Sequence, residues 1–445
     1  MTVATATPQG LLFHLPMRSM QFVVVLVCCL TNVTDGVDIA SLAFAAPVLI
    51  KDWGLRPAVM GSLFGATATG LAIGAFLLAP LADKFGRRLI MLLATGAIAI
   101  AMLATARAET VPELAALRFV TGAGLGTLSV CLNVMVAEFS NERWRNPLVA
   151  LLHTGFSIGT MVGGGFAALL LAPYGWQGMF IATGILNVIT FLLVLFVVPE
   201  SPSFLIMRGN ARALDDVNRI LGKIGHAPID ALPPVAATTA KAKLAALFSD
   251  GRVNATLLLW VAQFSFSVIS YLVLNWKPTV LVNAGLTPQQ AGIAGLVSGF
   301  MGILGHTVVG FLSSKGREAL LTTIFFLMLC VSLLLFGLMP AHPPWGLILS
   351  AGLTSFCNVG CLTGLLLIAI NYYPASVRTT SVALMLGIAR IGAITGPMFG
   401  GLLLELGYPR STMFIVLAGM SLVPIIAIFF ILRLAKPAAP AAPAL

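Results

Sequence analysis

Asp35 and Asp38 stand inside a long apolar run and are the residues whose type and spacing most plainly offer chemistry. A spacing of three puts both carboxylates on one helix face, about one turn apart, and Asn32 extends that stripe. A charged group inside a membrane span costs at least ~2.5–3.5 kcal/mol on insertion scales, so its retention points to function. Proton carriage is the chemistry such carboxylates offer. The bland alternative is a structural pair satisfied by neighbouring donors. The spacing prefers neither member, and Gly36 between them permits close helix packing.

Two arginines share the apolar setting. Arg118 is expected about seven residues inside the outer end of its span, and Asp38 about twelve inside its own. At 1.5 Å per residue they differ in depth by only ~8 Å, within side-chain reach if the helices face each other. A cation beside a buried carboxylate favours its charged form, and withdrawing it favours proton uptake. A permanent structural ion pair is the competing reading. Arg390 is expected near the midplane, where its planar fork suits a carboxylate. Lys277 is a weaker candidate, because a lysine near a span end usually snorkels to the interface. His306 is a lone intramembrane histidine, as often a hydrogen-bonded helix contact as a proton carrier. Phe264 and Tyr271, seven apart, share a face that could stack on a ring, although packing aromatics look the same in sequence. Gln263 and Asn358 offer polar contacts for a ring substituent.

The elements that must position these groups follow from composition. The 445 residues are 59% hydrophobic and only 9% charged, with mean hydropathy +1.01. A soluble protein carries roughly 25% charged residues, so this chain cannot cover a water-facing surface of its own size. Soluble domains, disorder and a disulfide scaffold are thereby excluded. The apolar runs reach the ~20 residues of a membrane helix, not the 9–11 of a barrel strand. The expected architecture is an all-α polytopic membrane protein of twelve spans. These are roughly 20–50, 57–81, 88–107, 111–138, 147–171, 176–198, 253–283, 288–312, 318–339, 345–373, 379–405 and 411–433. The organisation expected is a six-helix half over 1–199, a polar middle loop over 200–252, a second half over 253–434 and a disordered tail over 435–445. Of 25 Lys and Arg, only Lys51, Arg56, Arg107 and Arg410 fall on one side, and Arg118, Lys277 and Arg390 fall in spans. The remainder sit on the other side, which the positive-inside rule assigns to the cytoplasm with both termini. Topology accounts for the net charge of +10, so it gives no sign of nucleic-acid binding. Nor does any His, Cys or carboxylate cluster have metal-site spacing, and no cofactor motif is present.

Landmarks repeat at nearly half the chain length. The segment Leu81–Arg88 aligns with Leu312–Arg317, and Arg143 with Arg378. Two related halves are typical of secondary transporters. On Asp83, Gly86, Arg87 and Arg88 after span 2, on Arg118, Gly122, Gly124 and Gly126 in span 4, and on Pro199-Glu200-Ser201-Pro202 after span 6, the chain resembles the major facilitator superfamily. That resemblance implies two six-helix halves, spans 1 and 4 lining one cavity, and a cytoplasmic gate built on Asp83, Gly86, Arg87 and Arg88. Arg378, the second-half counterpart of Arg143, is assigned to the gate as well. Asp83, close to a helix N-terminus, is favoured there by the dipole.

Asp35-Gly36-Val37-Asp38 further resembles the DGxD motif of the aromatic acid:proton symporter family. Tyr373-Pro374 with Arg378, the run Gly387–Gly392 and Gly396-Pro397 are similar to its span 10–11 region. Glu138 and His306 fall at matching places and join Asp35, Asp38 and Arg118 as candidates for proton coupling. The implied activity is proton-coupled import of a small anionic aromatic substrate, by a monomer in a bacterial-type inner membrane. Symport of another organic acid or a sugar, or efflux by antiport, are the alternatives. Nothing supports an enzyme: there is no nucleophile–base pair, metal triad or phosphate loop.

Overall fold

In a bilayer every backbone N–H and C=O must bond within its own segment, which makes each apolar run a helix. The computed structural model describes residues 12, 16–208, 213–223, 226–232, 252–312, 317–373 and 375–434, and is helical throughout its long elements. The first helices are α1 (Ser19–Trp53), α2 (Pro57–Ile73, continued by a π turn over Gly74–Leu78), the short α3 (Leu81–Phe85), α4 (Arg87–Thr105) and α5 (Val111–Phe139). They are followed by α6 (Glu142–Val197), α7 (Pro202–Arg208) and α8 (Ala213–Lys223). The rest are α9 (Val253–Asn283), α10 (Pro288–Leu312), α11 (Glu318–Leu338), α12 (Pro344–Tyr372), α13 (Ala375–Glu405), α14 (Arg410–Met420) and α15 (Leu422–Leu434).

Eleven helices among the described residues are long and apolar enough to cross a membrane, with α14 and α15 together forming one of them. The 56 residues of α6 would make a rod of about 84 Å at 1.5 Å per residue, far more than one bilayer needs. Gly175, at φ 63° and ψ −169°, breaks it into two limbs. The expected spans 5 and 6 are these limbs, which brings the total to twelve. Local sequence sets the ends: Thr110 caps α5 by accepting from the Glu113 N–H, Asn141 caps α6 through Trp144, and Gly54 closes α1 at φ 61°.

The chain forms two compact units. One comprises Met1–Leu55, Ser62–Thr238 and Thr287–Gly299; the other comprises Arg56–Gly61, Thr239–Leu286 and Phe300–Leu445. Within the first, α1 lies along α6, and α4 packs on α5 and α6. Within the second, α9 packs on α13 and α15, and α11 on α12 and α14. The short segment Arg56–Gly61 belongs to the second unit because Glu405 accepts from the Ala58 N–H at 3.0 Å and pairs with Arg56 at 3.3 Å.

The polar stretch expected as a middle loop carries α7 and the amphipathic α8, whose Ala213, Val217, Ile220 and Leu221 are buried. The loop residues 233–251, the second-loop copy at Ser314 and Lys315, and the tail 435–445 lie outside the described residues.

Candidate functional site

The turn of α1 that carries the carboxylates packs through Gly36 on the glycine-rich limb of α6. A Cβ on Gly36 would meet the Phe156 carbonyl at 2.4 Å, and one on Gly159 would meet the Val33 carbonyl at 2.1 Å. The backbones therefore touch at the level of Asp35 and Asp38, and both side chains are buried. Asn32 donates to the Leu152 carbonyl and ties the same two helices together. Asp38 Oδ1 accepts from Asn187 Nδ2 at 2.7 Å, from the second limb of α6. Its Oδ2, and Asp35 Oδ1, are buried without a hydrogen-bond partner among the described residues.

Arg118 is 1% exposed. It donates to Thr105 Oγ1 at 2.7 Å and lies 3.0 Å from Met102 Sδ. Its guanidinium sits 5.0 Å from the centre of the Phe180 ring, a cation–π arrangement. Arg118 and Asp38 interact electrostatically, but among the described residues no ion pair joins them. The sequence reading places the two in mutual reach. In the structure each holds a neutral partner instead, Asn187 for the acid and Thr105 for the base. Asp38 is thus a buried carboxylate with a cation nearby that forms no ion pair with it among the described residues, so a change in its protonation would break no tight ion pair.

The residues of the loop after the second span form a second cluster. Arg87 is buried; it bonds Glu138, donates to Ser201 Oγ at 2.8 Å and reaches Asp83 at 3.5 Å. Ser201 also donates to Glu138. Glu138, grouped by sequence with the proton-coupling residues, therefore has both oxygens occupied by Arg87 and Ser201. Asp83, which the sequence reading sets at a helix N-terminus, stands in the first turn of α3. The carboxylate that fills the role at α4 is Glu200, which accepts from the Arg87 and Arg88 N–H groups at 2.9 and 3.1 Å and from Ser201 N–H at 2.9 Å. Gly86, at φ 109°, makes room, because a Cβ there would meet Glu200 Oε2 at 2.5 Å. Arg88 donates to the Leu195 carbonyl at 2.6 Å. Arg378 is exposed and donates to the Tyr373 carbonyl at 3.3 Å, remote in character from the acid-rich cluster around Arg87.

In the second unit the polar groups of α9 and α12 meet. Asn358 donates to Ser270 at 2.8 Å, and Lys277, buried at 8% exposure, donates to Ser355 at 2.7 Å. Gln263 donates to Ser267 at 3.3 Å. The carbonyl oxygens of Gln263 and Asn358 are both buried and unpartnered. Trp276 is held by the Pro397 carbonyl at 2.7 Å. His306 lies 2.9 Å from Thr363 Oγ1, which makes it at least a helix-to-helix contact between α10 and α12. Phe264 is 37% exposed, and Tyr271 and Arg390 are half-buried. Asn187, Thr105, Met102, Phe180, Ser355 and Thr363 were not singled out from sequence. Asn187 alone carried a signal, as an amide deep in an apolar span.

The description of the family model matching residues 28–346 is Major Facilitator Superfamily. The chain is 32% identical over 400 residues to the 4-hydroxybenzoate transporter PcaK of Pseudomonas aeruginosa, covering 88% of each protein. It is 32% identical over 406 residues to a gallate transporter of Pseudomonas putida, covering 90% of each. Among solved structures it resembles the inward-open xylose transporter XylE from E. coli, with a TM-score of 0.70 at 18% identity, over 95% of this chain and 98% of that one.

Proposed function

We propose that this chain, which belongs to the Major Facilitator Superfamily, imports a small aromatic carboxylate together with protons by alternating access. The observation that carries the coupling is Asp38: deep in α1, bonded on one oxygen by Asn187, open on the other, with Arg118 nearby. The aromatic substrate is supported by the relatives named for 4-hydroxybenzoate and gallate.

The second unit supplies groups matching such a molecule. Arg390 offers a fork to the carboxylate. Phe264 and Tyr271 offer aromatic faces to the ring. The orphaned carbonyl oxygens of Gln263 and Asn358 are acceptors suited to phenolic hydroxyls, which would satisfy them on binding. Asp35 assists Asp38 on the same helix face. Glu138 joins Asp83, Arg87 and Ser201 in the gate rather than in proton transfer, because its carboxylate is held there. The chain would lie in a bacterial-type inner membrane with both termini cytoplasmic, following its basic-residue bias.

Uptake of labelled benzoate, 4-hydroxybenzoate, gallate, a phenylpropanoid and a sugar into proteoliposomes, with and without a pH gradient, tests this reading. Gradient-stimulated uptake of a hydroxybenzoate is expected. Uptake of the sugar alone would overturn the substrate class, and sodium-driven uptake without a pH gradient would overturn the coupling ion.

A further inference from the structure

A pocket of about 360 Å³ opens where α8 meets the ends of three spans. Its walls come from Met20 at the start of α1, Arg88 at the start of α4, Phe196 and Val197 at the end of α6, and Ile220 and Lys223 of α8. The first and third spans begin, and the sixth ends, on the same side of the membrane. The pocket therefore sits at headgroup depth on the side the basic residues mark as cytoplasmic. One wall is apolar and continuous with the lipid-facing surface, where Phe196 is 79% exposed. The other wall is cationic: Arg88, Arg219 and Lys223 all line it.

The acids that also line the pocket are largely engaged. Glu200 Oε1 accepts from three backbone N–H groups, and Asp216 pairs with Arg219 at 3.3 Å. Lys223 makes no ion pair among the described residues. Arg88 has a buried Nε with no partner, although its Nη2 is fixed on the Leu195 carbonyl. Three cations on one wall, with Lys223 in no ion pair among the described residues, suit an anion with several acceptor oxygens. The volume suits a headgroup, and the apolar wall suits the first carbons of acyl chains.

We propose that this pocket holds the phosphate headgroup of an anionic phospholipid of the cytoplasmic leaflet, gripped by Arg88, Arg219 and Lys223 with its chains against Met20 and Phe196. Such a lipid would touch the same arginine whose backbone N–H is held by Glu200, and so would bear on the gate loop. The inference does not depend on which substrate is carried.

The test is native mass spectrometry of the full chain released from nanodiscs of phosphatidylcholine, with or without phosphatidylglycerol, compared with the Arg219→Gln/Lys223→Gln variant. Both positions are exposed on α8, and glutamine keeps helix propensity. Retained phosphatidylglycerol should fall about fivefold per lost cation, roughly 25-fold for the pair, the scale of basic residues at an anionic surface. Arg143→Gln, an exposed arginine at the start of α6 outside the pocket, should retain the lipid as wild type does. Equal retention by wild type and the double variant overturns the proposal, and so does an equal loss in Arg143→Gln, which would mean bulk attraction to the bilayer. A third arm titrates inorganic phosphate into phosphatidylcholine nanodiscs. Phosphate bound by wild type in place of phosphatidylglycerol, and lost in the double variant, would make this a soluble-anion site and overturn the lipid assignment.

Discussion

If Asp38 carries the coupled proton as proposed, replacing it by asparagine should separate proton coupling from substrate movement. In the structure Asp38 Oδ1 accepts from Asn187 and Oδ2 is already unpartnered. The asparagine carbonyl can keep the first contact, and its amide nitrogen exchanges one unpartnered atom for another. The fold should therefore survive while the titrating group is gone. A carboxylate carried with one proton moves no net charge, so the pH gradient alone drives it. One pH unit is worth about 1.36 kcal/mol, or about tenfold accumulation. The same ratio is the end point of passive leak of the neutral aromatic acid. The assay must therefore read the initial rate in excess of carrier-free vesicles, with an inside-alkaline gradient of one unit. The Asn variant should lose that excess while still exchanging labelled for unlabelled substrate at equal pH. An electrical potential without a pH gradient should drive no wild-type accumulation. Potential-driven accumulation near 50-fold at 100 mV, from about 2.3 kcal/mol per charge, would mean a second proton, with Asp35 its natural carrier. Gradient-driven uptake by Asp38→Asn at the wild-type excess rate would refute the assignment of Asp38 altogether.

Four further outcomes are expected. Asn187→Ala strips Asp38 of the side-chain hydrogen bond it makes among the described residues and should lower stability by about 1–3 kcal/mol, read by thermal unfolding in detergent, with coupled uptake impaired more than exchange. Glu138→Gln weakens the hold on Arg87 and should slow turnover while equilibrium substrate binding stays near wild type; a large loss of binding in the folded variant would place Glu138 in the site. Arg390→Lys keeps the charge but loses the fork, so substrate binding by calorimetry should weaken by about 1–3 kcal/mol. Gly159→Ala puts a methyl 2.1 Å from the Val33 carbonyl, which must push α1 from α6 and should cost about 1–3 kcal/mol of stability, with Asn187→Ala as the size standard.

The spans were legible because a bilayer leaves the backbone no alternative to a helix, so length and hydropathy decide the element. The two places where the elements differ from the reading have local causes. Gly175 is one residue in a connection so tight that the fifth and sixth spans merge into α6. In the middle loop, α8 has a low apolar content and hides its one buried face, Val217, Ile220 and Leu221, among charges. A search for membrane spans passes over such a helix, although its periodicity is plain once the polar stretch is read by itself.

The candidate site was legible in its charges and illegible in its neutral partners, and the physics of burial explains the split. A charge in an apolar run stands out because it is expensive. The groups that make it tolerable need only a hydroxyl, an amide or a ring, and such residues occur in every helix of this chain. Arg118 shows the consequence. From sequence its natural partner is the nearest acid, Asp38, since opposite charges are the visible candidates. The structure surrounds it with Thr105, Met102 and Phe180, three residues with no charge to announce them. Glu138 shows the converse. It is an acid at the end of a span, legible as a candidate, but its meaning depends on Arg87 and on Ser201, which lie 51 and 63 residues away along the chain. A tight ion pair between Arg118 and Asp38 would cost several kcal/mol to open in each cycle. Neutral partners hold both groups in place and leave the acid's second oxygen available to a proton. Were Asp38 to gain and lose a proton in every cycle, these neutral partners, which sequence could not show, would keep the barrier low.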